Sequence, residues 1–77
     1  MKKLVLKYDN DRYTAMQVYD NLKSKKLKDL HLSYLAGWII IKGNIELTTL
    51  TDDIVEFKIN DKEFNISRKN LDGIEFE

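Results

Sequence analysis

Apolar residues alternate with polar ones near the start of the chain and then recur at helical spacing. Leu4, Leu6 and Tyr8 alternate through residues 3–8, which predicts a first β-strand. The sequence from Thr14 to Gln17 fits a capping box, in which Thr14 caps the first turn and Gln17 reaches back to it. We therefore predict a helix that begins at Thr14 and packs one apolar stripe on a sheet. The stripe consists of Ala15, Val18, Tyr19 and Leu22.

The segment 27–36 fits two structures. Leu30, Leu32 and Tyr34 alternate with polar residues as in a strand, and the alternation continues to Trp38. The same segment also fits a helix that ends at Gly37. We favour the strand, because a β-α-β start lets the helix return across one face of the sheet. The helix remains the alternative.

From Trp38 onward, turn residues separate short apolar runs, which predicts an antiparallel meander. Gly43-Asn44 and Asn60-Asp61 suit two-residue hairpin loops, residues 51–53 suit a three-residue loop, and Asp72-Gly73 suits a short turn before a last strand. The resulting register places Phe57 opposite Phe64 on one face, Val55 opposite Ile66 on that same face, and Lys58 opposite Glu63 on the other. The residues assigned to the core side are Trp38, Ile40, Ile45, Leu47, Val55, Phe57, Ile59, Phe64 and Ile66.

The predicted register leaves a second apolar set on the opposite face, namely Ile39, Ile41, Leu50 and Ile54. One helix of three turns, about 16 Å long, cannot cover both faces of such a sheet. Either the sheet curls toward a barrel or a second chain covers the stripe, because large apolar patches are uncommon on soluble monomers. The sequence therefore predicts one α+β domain over residues 1–77, with a β-α-β start, an antiparallel meander, and one helix on a sheet of five or six strands.

Three segments of the second half share a pattern of apolar spacing: Gly43–Leu47, Asp53–Ile59 and Ile66–Phe76. Over residues 38–76 this pattern resembles the short meanders of SH3-like and Sm-like barrels, particularly small bacterial proteins of the YolD-like type. The resemblance implies a compact β-rich module. It carries over no site residue, because no RNA-binding signature of the Sm type maps onto these positions. Residues 3–26 lie outside it.

The formal net charge of zero hides a division between the two halves of the chain. Residues 1–42 carry nine Lys and Arg against four Asp and Glu, whereas residues 43–77 carry four against nine, so the halves have charges of +5 and −5. This division predicts a basic part and an acidic part that form separate layers or ends of one domain.

Composition excludes several classes of protein. The chain has no cysteine, which removes zinc-finger, iron–sulfur and thiol chemistry. Together with the absence of a signal-peptide pattern at its start, this predicts a cytoplasmic location. The longest apolar run, Tyr34–Ile41, contains Gly37 and is far too short to span a bilayer, so we expect no membrane partner.

Residues suited to catalysis or metal binding are few. His31 is the only histidine, and no nucleophile motif surrounds any of the three serines. Asp52 and Asp53 lack the spacing of a calcium loop and suit a turn. The three glycines are too scattered for a phosphate-binding loop. We therefore expect no enzyme activity, cofactor, metal ion or small-molecule substrate.

Two hypotheses for function remain. The first is a small interaction protein that binds a larger protein or its own copy through Ile39, Ile41, Leu50 and Ile54, while charged rims set the orientation. Such a chain would suit an accessory or inhibitor protein, such as one encoded by a phage or mobile element. The alternative is nucleic-acid binding through the lysines at the end of the helix, although the zero net charge and two isolated arginines favour it less. Those lysines are Lys23, Lys25, Lys26 and Lys28.

Overall fold

One helix and seven strands make up the computed structural model, which describes residues 1–77. The elements are β1 (Lys3–Lys7), α1 (Arg12–Ser24), β2 (His31–Leu35), β3 (Trp38–Lys42), β4 (Ile45–Leu50), β5 (Ile54–Ile59), β6 (Lys62–Ser67) and β7 (Gly73–Phe76). The strands form two antiparallel sheets, in the orders β2-β3-β1-β7 and β4-β5-β6. The predicted α+β class is confirmed. The strands divide between two sheets instead of forming one, and they do not close into a barrel.

The four-stranded sheet has a split β-α-β topology. Strand β3 is antiparallel to both β1 and β2, so β1 and β2 run parallel with β3 between them. Strand β7 pairs with the other side of β1. This is the strand order of the β-α-β-β-α-β fold, with the meander β4–β6 in the chain position of the second helix. The strand alternative for residues 27–36 is thus confirmed, with bounds His31–Leu35.

The helix begins two residues before the predicted cap. Asp11 is the N-cap, and its carboxylate accepts hydrogen bonds from the Thr14 backbone N–H (3.0 Å) and the Thr14 hydroxyl (2.6 Å). Thr14 therefore occupies the third helical position, where its free N–H needs a partner, and aspartate is among the best caps. The predicted apolar stripe is confirmed, since Ala15 and Leu22 are buried and Val18 and Tyr19 pack against the core.

The three-stranded sheet follows the predicted register closely. Phe57 pairs with Phe64, Val55 with Ile66, and Lys58 with Glu63. The two phenylalanine rings stack at 5.2 Å between centroids. Residues Asn60 and Asp61 both have positive φ, at 50° and 69°, as a two-residue type I′ turn requires. The loop at residues 51–53 and the pairing of Leu47 with Phe57 are also confirmed. Beyond Leu47 the register differs from the prediction, because a bulge between Leu47 and Thr49 shifts the ladder and pairs Leu50 with Val55.

The predicted hairpin at Gly43-Asn44 is wrong. Strand β3 pairs with β1 and β2, and β4 pairs with β5, so no ladder joins β3 to β4. The chain crosses from one sheet to the other at this point. The Gly43 N–H donates to the Lys2 carbonyl (3.1 Å), and the Ile45 N–H donates to the Met1 carbonyl (3.0 Å). Because residues 1–2 hold this backbone from the side, it stays extended and does not reverse.

One hydrophobic core lies between the two sheets and the helix. It contains residues from β1, α1, β3, β4, β5 and β6, among them Ile39 and Ile41, which are fully buried. The predicted assignment of β3 is therefore reversed: Ile40 is only half-buried, and Trp38 is exposed. The reason is that residues 38–41 are apolar at every position, so alternation cannot tell which side of this strand faces the core.

Candidate functional site

The face of the four-stranded sheet that points away from the core carries a connected set of apolar side chains. Val5 pairs with Ile40 across β1 and β3, and Leu35 pairs with Trp38 across β2 and β3, so all four share one face. The helix packs on the other face, where the rings of Tyr19 and Tyr34 lie 5.8 Å apart. We call the face formed by Val5, Leu35, Trp38 and Ile40 the outer surface. No element of the chain covers it.

Exposure increases across the outer surface from β1 to β2. Val5 is 4% exposed and Ile40 is half-buried, whereas Trp38 is 36% and Leu35 67% exposed. Val5 does not belong to the hydrophobic core, because it lies on the far side of the sheet between Ile40 and Glu75. The apolar centre of the outer surface is therefore shielded from solvent at β1 and exposed to solvent at β2.

Two polar contacts hold the Trp38 ring in place. Its indole N–H donates to the Asp9 carboxylate at 2.6 Å. The Lys7 ammonium lies 4.3 Å from the ring centroid, within the range of a cation–π interaction. A side chain that is already ordered loses less conformational entropy when a partner binds it. Trp38 is thus suited to be a fixed contact point.

Ion pairs between β1 and the chain end border the apolar centre. Lys7 pairs with Glu75, and Lys3 lies 3.8 Å from Glu77. The hydrogen bond from Lys7, helped by its charge, lowers the pKa of Glu75 below its ordinary value. The predicted separation of basic and acidic layers is therefore wrong in part. Strand β7 belongs to the acidic half of the sequence but lies directly beside the basic strand β1.

The residues predicted as a partner surface do not form one. Ile39 and Ile41 are fully buried in the core and face away from the outer surface. Leu50 is 41% exposed on β4, and Ile54 is half-buried at the start of β5, both in the other sheet. The correction follows from the reversed orientation of β3: the alternate residues of that strand, Trp38 and Ile40, point outward instead.

The four lysines at the end of the helix are brought together only by their closeness in sequence. Lys23 lies in the last helical turn, and the others follow it within residues 25–28. All four are exposed, and none forms an ion pair with a carboxylate. The Lys23 ammonium lies 5.9 Å from the centroid of the Tyr19 ring.

The polar residues considered for chemistry are dispersed. His31 lies opposite Lys42 at the outer edge of the four-stranded sheet. The Ser24 hydroxyl donates to the Asn21 carbonyl (2.7 Å), and the Ser67 hydroxyl oxygen accepts from the Lys69 N–H (3.1 Å). No group of three or more His, Cys, Asp or Glu side chains is arranged to hold a metal ion. These side chains therefore serve local turns or the surface of the sheet.

Sequence reasoning placed Trp38 and Ile40 on one face but assigned that face to the core, and it gave no role to Val5 or Leu35. One signal was present: Trp38 follows directly on Gly37, at the turn between two strands, where the end of a sheet is often open to solvent. That signal does not define a surface. The outer surface depends on the pairing of β1 with β3, two segments that lie more than thirty residues apart in the sequence.

Comparison with known proteins gives no relative to argue from. No family model, curated protein or solved structure matches this chain. Its one helix, of 13 residues, is neither long enough nor apolar enough to cross a membrane. The function must therefore be inferred from the geometry of the molecule itself.

Proposed function

We propose that this protein is a non-catalytic interaction module that binds another protein chain, either a partner or a second copy of itself, through the outer surface. The observation that carries the proposal is the exposed pair of Trp38 and Leu35, side by side on a face of the antiparallel sheet that no helix or strand of the chain covers. Tryptophan is enriched among residues that dominate binding energy at the centre of interfaces.

The border of the outer surface supports the same proposal. An apolar centre with a polar rim is the usual anatomy of a protein interface, and here charged residues form the rim on the side of β1 and β7. Here the charges alternate in sign, with Lys3 and Lys7 beside Glu75 and Glu77. Such a border orients a partner and excludes wrong ones more than it adds affinity. A small chain that binds in this way would suit an accessory or inhibitory role on a larger protein.

Leu35→Glu is expected to weaken association at least tenfold, because a carboxylate would enter the apolar centre of the interface. Leu50→Glu is the matched control, since Leu50 is also an exposed leucine on a strand but lies in the other sheet. Association is measured by sedimentation and by affinity capture of a partner from the native cell. Trp38, the only tryptophan, reports burial of the outer surface through a blue shift of its fluorescence.

Two results would contradict the proposal. One is a wild-type protein that stays monomeric at high concentration and retains no partner. The other is a complex that Leu35→Glu leaves intact while Trp38 emission stays unchanged, because binding would then use another part of the molecule.

Nucleic-acid binding is the second candidate, favoured by the four exposed and unpaired lysines within residues 23–28. Contacts between lysine and phosphate release counterions, so the affinity of such a complex falls steeply with salt. A labelled single-stranded and double-stranded oligonucleotide, titrated over a salt series, separates the two functions. Lack of binding at low salt removes this candidate and leaves the outer-surface proposal untouched.

A further inference from the structure

A second feature lies away from the outer surface, between the helix and the edge of the three-stranded sheet. It is an open groove of about 380 Å³, large enough for a few amino-acid residues. One wall is the helix, through Thr14, Val18, Asn21 and Leu22, and the other is the run Phe64–Ser67 of β6. We call it the helix–strand groove.

Strand β6 presents unpaired backbone groups to this side. It is the last strand of its sheet and pairs only with β5. The Arg68 N–H donates to the Asp53 carbonyl at 2.9 Å, so the backbone groups of Arg68 point toward the chain of β5. In an antiparallel ladder the backbone N–H and C=O groups of every second residue point in the same direction. The backbone N–H and C=O groups of Phe64 and Ile66 therefore point toward β5, whereas those of Asn65 and Ser67 point toward the free edge. Such an edge is a template for another strand.

A buried tyrosine also lines the groove. Tyr8 is 0% exposed and lines the helix–strand groove, and its hydroxyl has no protein group within hydrogen-bond distance. Burial, together with the nearby negative charge of Asp11, raises the pKa of this hydroxyl, so it stays protonated and can donate. A buried polar group without a partner is costly, and it points to an acceptor supplied from outside the chain.

One charged side chain lines the groove. Lys69 is the only charged residue that lines it, and it forms no ion pair. It lies at the end of the groove near the start of the helix, where the Asn70 amide donates to the Asp11 carboxylate at 2.9 Å. The complementary group for an ammonium at this end is a carboxylate.

The two walls have matching lengths. From Thr14 to Leu22 the helix rises about 12 Å. Four strand residues span about 13 Å. An extended segment of about four residues can therefore lie along both walls, with apolar side chains against the groove residues Val18, Leu22 and Phe64.

We propose that the helix–strand groove binds an extended peptide segment of another protein, which adds to β6 as a fourth strand and places a carboxylate beside Lys69. The unpaired edge of β6 recognises the peptide backbone, Tyr8 donates to it, and the apolar walls select its side chains. This site is separate from the outer surface and does not depend on the function proposed for it.

The probe is a display library of random eight-residue peptides with free carboxyl termini, followed by synthesis of an enriched sequence. Asn65→Pro removes the N–H at the free edge but keeps the hydrogen bonds between β6 and β5. An edge strand tolerates proline at a position whose N–H points away from the sheet. Asn65→Ala is its matched control, because it removes the side chain and keeps the N–H. We expect Asn65→Pro to weaken peptide binding at least tenfold and Asn65→Ala to change it less than twofold.

Two further variants test the other groups. Lys69→Glu is expected to weaken binding tenfold for peptides that carry the carboxylate. Tyr8→Phe is expected to raise the Tm of the free protein by several degrees, since it removes a buried unsatisfied hydroxyl, and yet to weaken the peptide several-fold. A hydroxyl with no role in binding would change the Tm alone. In the complex, the amide hydrogens of Asn65 and Ser67 should exchange more slowly with solvent.

If Asn65→Pro does not fold, the peptide provides the same test. Methylation of alternate backbone nitrogens should abolish binding in the register that pairs with β6 and spare it in the other. The proposal is overturned if the library yields no enrichment, or if peptides bind regardless of backbone methylation and of Asn65→Pro. It is likewise overturned if Leu35→Glu abolishes binding, which would assign the peptide to the outer surface, or if acetate competes as well as the peptide does.

Discussion

Ile39→Ala is expected to lower the free energy of unfolding by about 2–5 kcal/mol, and Ile40→Ala by less than about 2 kcal/mol. Ile39 is fully buried among core residues of both sheets. Truncation of its side chain therefore leaves a cavity that the closely packed neighbours cannot fill. Ile40 is half-buried on the outer surface, where solvent replaces the removed atoms. The measurement is urea unfolding of both variants and the wild type, with the slope m compared as well as the midpoint.

The same pair of variants tests the orientation of β3. The two isoleucines are neighbours of the same size and type, so their intrinsic strand preferences cancel in the comparison. Equal losses, or a larger loss at Ile40, would mean that β3 faces the core with the other set of side chains. The outer surface would then not exist in the form described, because Trp38 lies on the same face as Ile40.

Gly37→Ala is expected to destabilise the fold by at least about 2 kcal/mol, because two separate penalties act at this position. Gly37 has a φ of +88°, which side-chain-bearing residues rarely adopt, and a Cβ there would lie 2.4 Å from the Tyr8 carbonyl oxygen. The Gly37 carbonyl also accepts the Tyr8 N–H at 2.8 Å, so neither backbone can move away freely. Thermal and urea unfolding measure the loss.

Gly73→Ala is the control for this prediction. A Cβ at Gly73 would meet only the Lys7 side chain, at 3.4 Å, which is an ordinary contact. We expect its stability to stay within about 1 kcal/mol of the wild type. Because Gly37 lies between Leu35 and Trp38, the distorted turn should also change Trp38 emission in the folded variant. Equal effects of the two substitutions would contradict the close approach of Gly37 to Tyr8.

The features predicted correctly from sequence are those set by neighbours in the chain. The apolar stripe from Ala15 to Leu22 repeats at helical spacing, and the turn at Asn60-Asp61 sets the pairing of Phe57 with Phe64. Each of these features involves residues within one helix or one hairpin. The observed helix cap, Asp11, lies three positions before the predicted cap, Thr14. Both residues are good caps, and Asp11 takes the role because its carboxylate accepts hydrogen bonds from the Thr14 N–H and hydroxyl.

The features predicted wrongly depend on distant pairings. The turn residues Gly43-Asn44 are compatible with a hairpin, but backbone bonds from Met1 and Lys2 keep this segment extended. Both candidate sites share this origin. The outer surface exists because β1 pairs with β3, and the helix–strand groove exists because the chain returns from β6 to the start of the helix, where Asn70 binds Asp11.

The sequence by itself determined the α+β class, the helix and its buried stripe, and the register of the hairpin β5–β6, since periodicity and turn chemistry act over short separations. The tertiary structure alone decided which face of β3 enters the core, which strands flank β1, and where the uncovered surfaces lie. The physical reason is that residues 38–41 are apolar on both faces, so their own pattern is equally compatible with either orientation. Burial against the helix and the second sheet selects one of them.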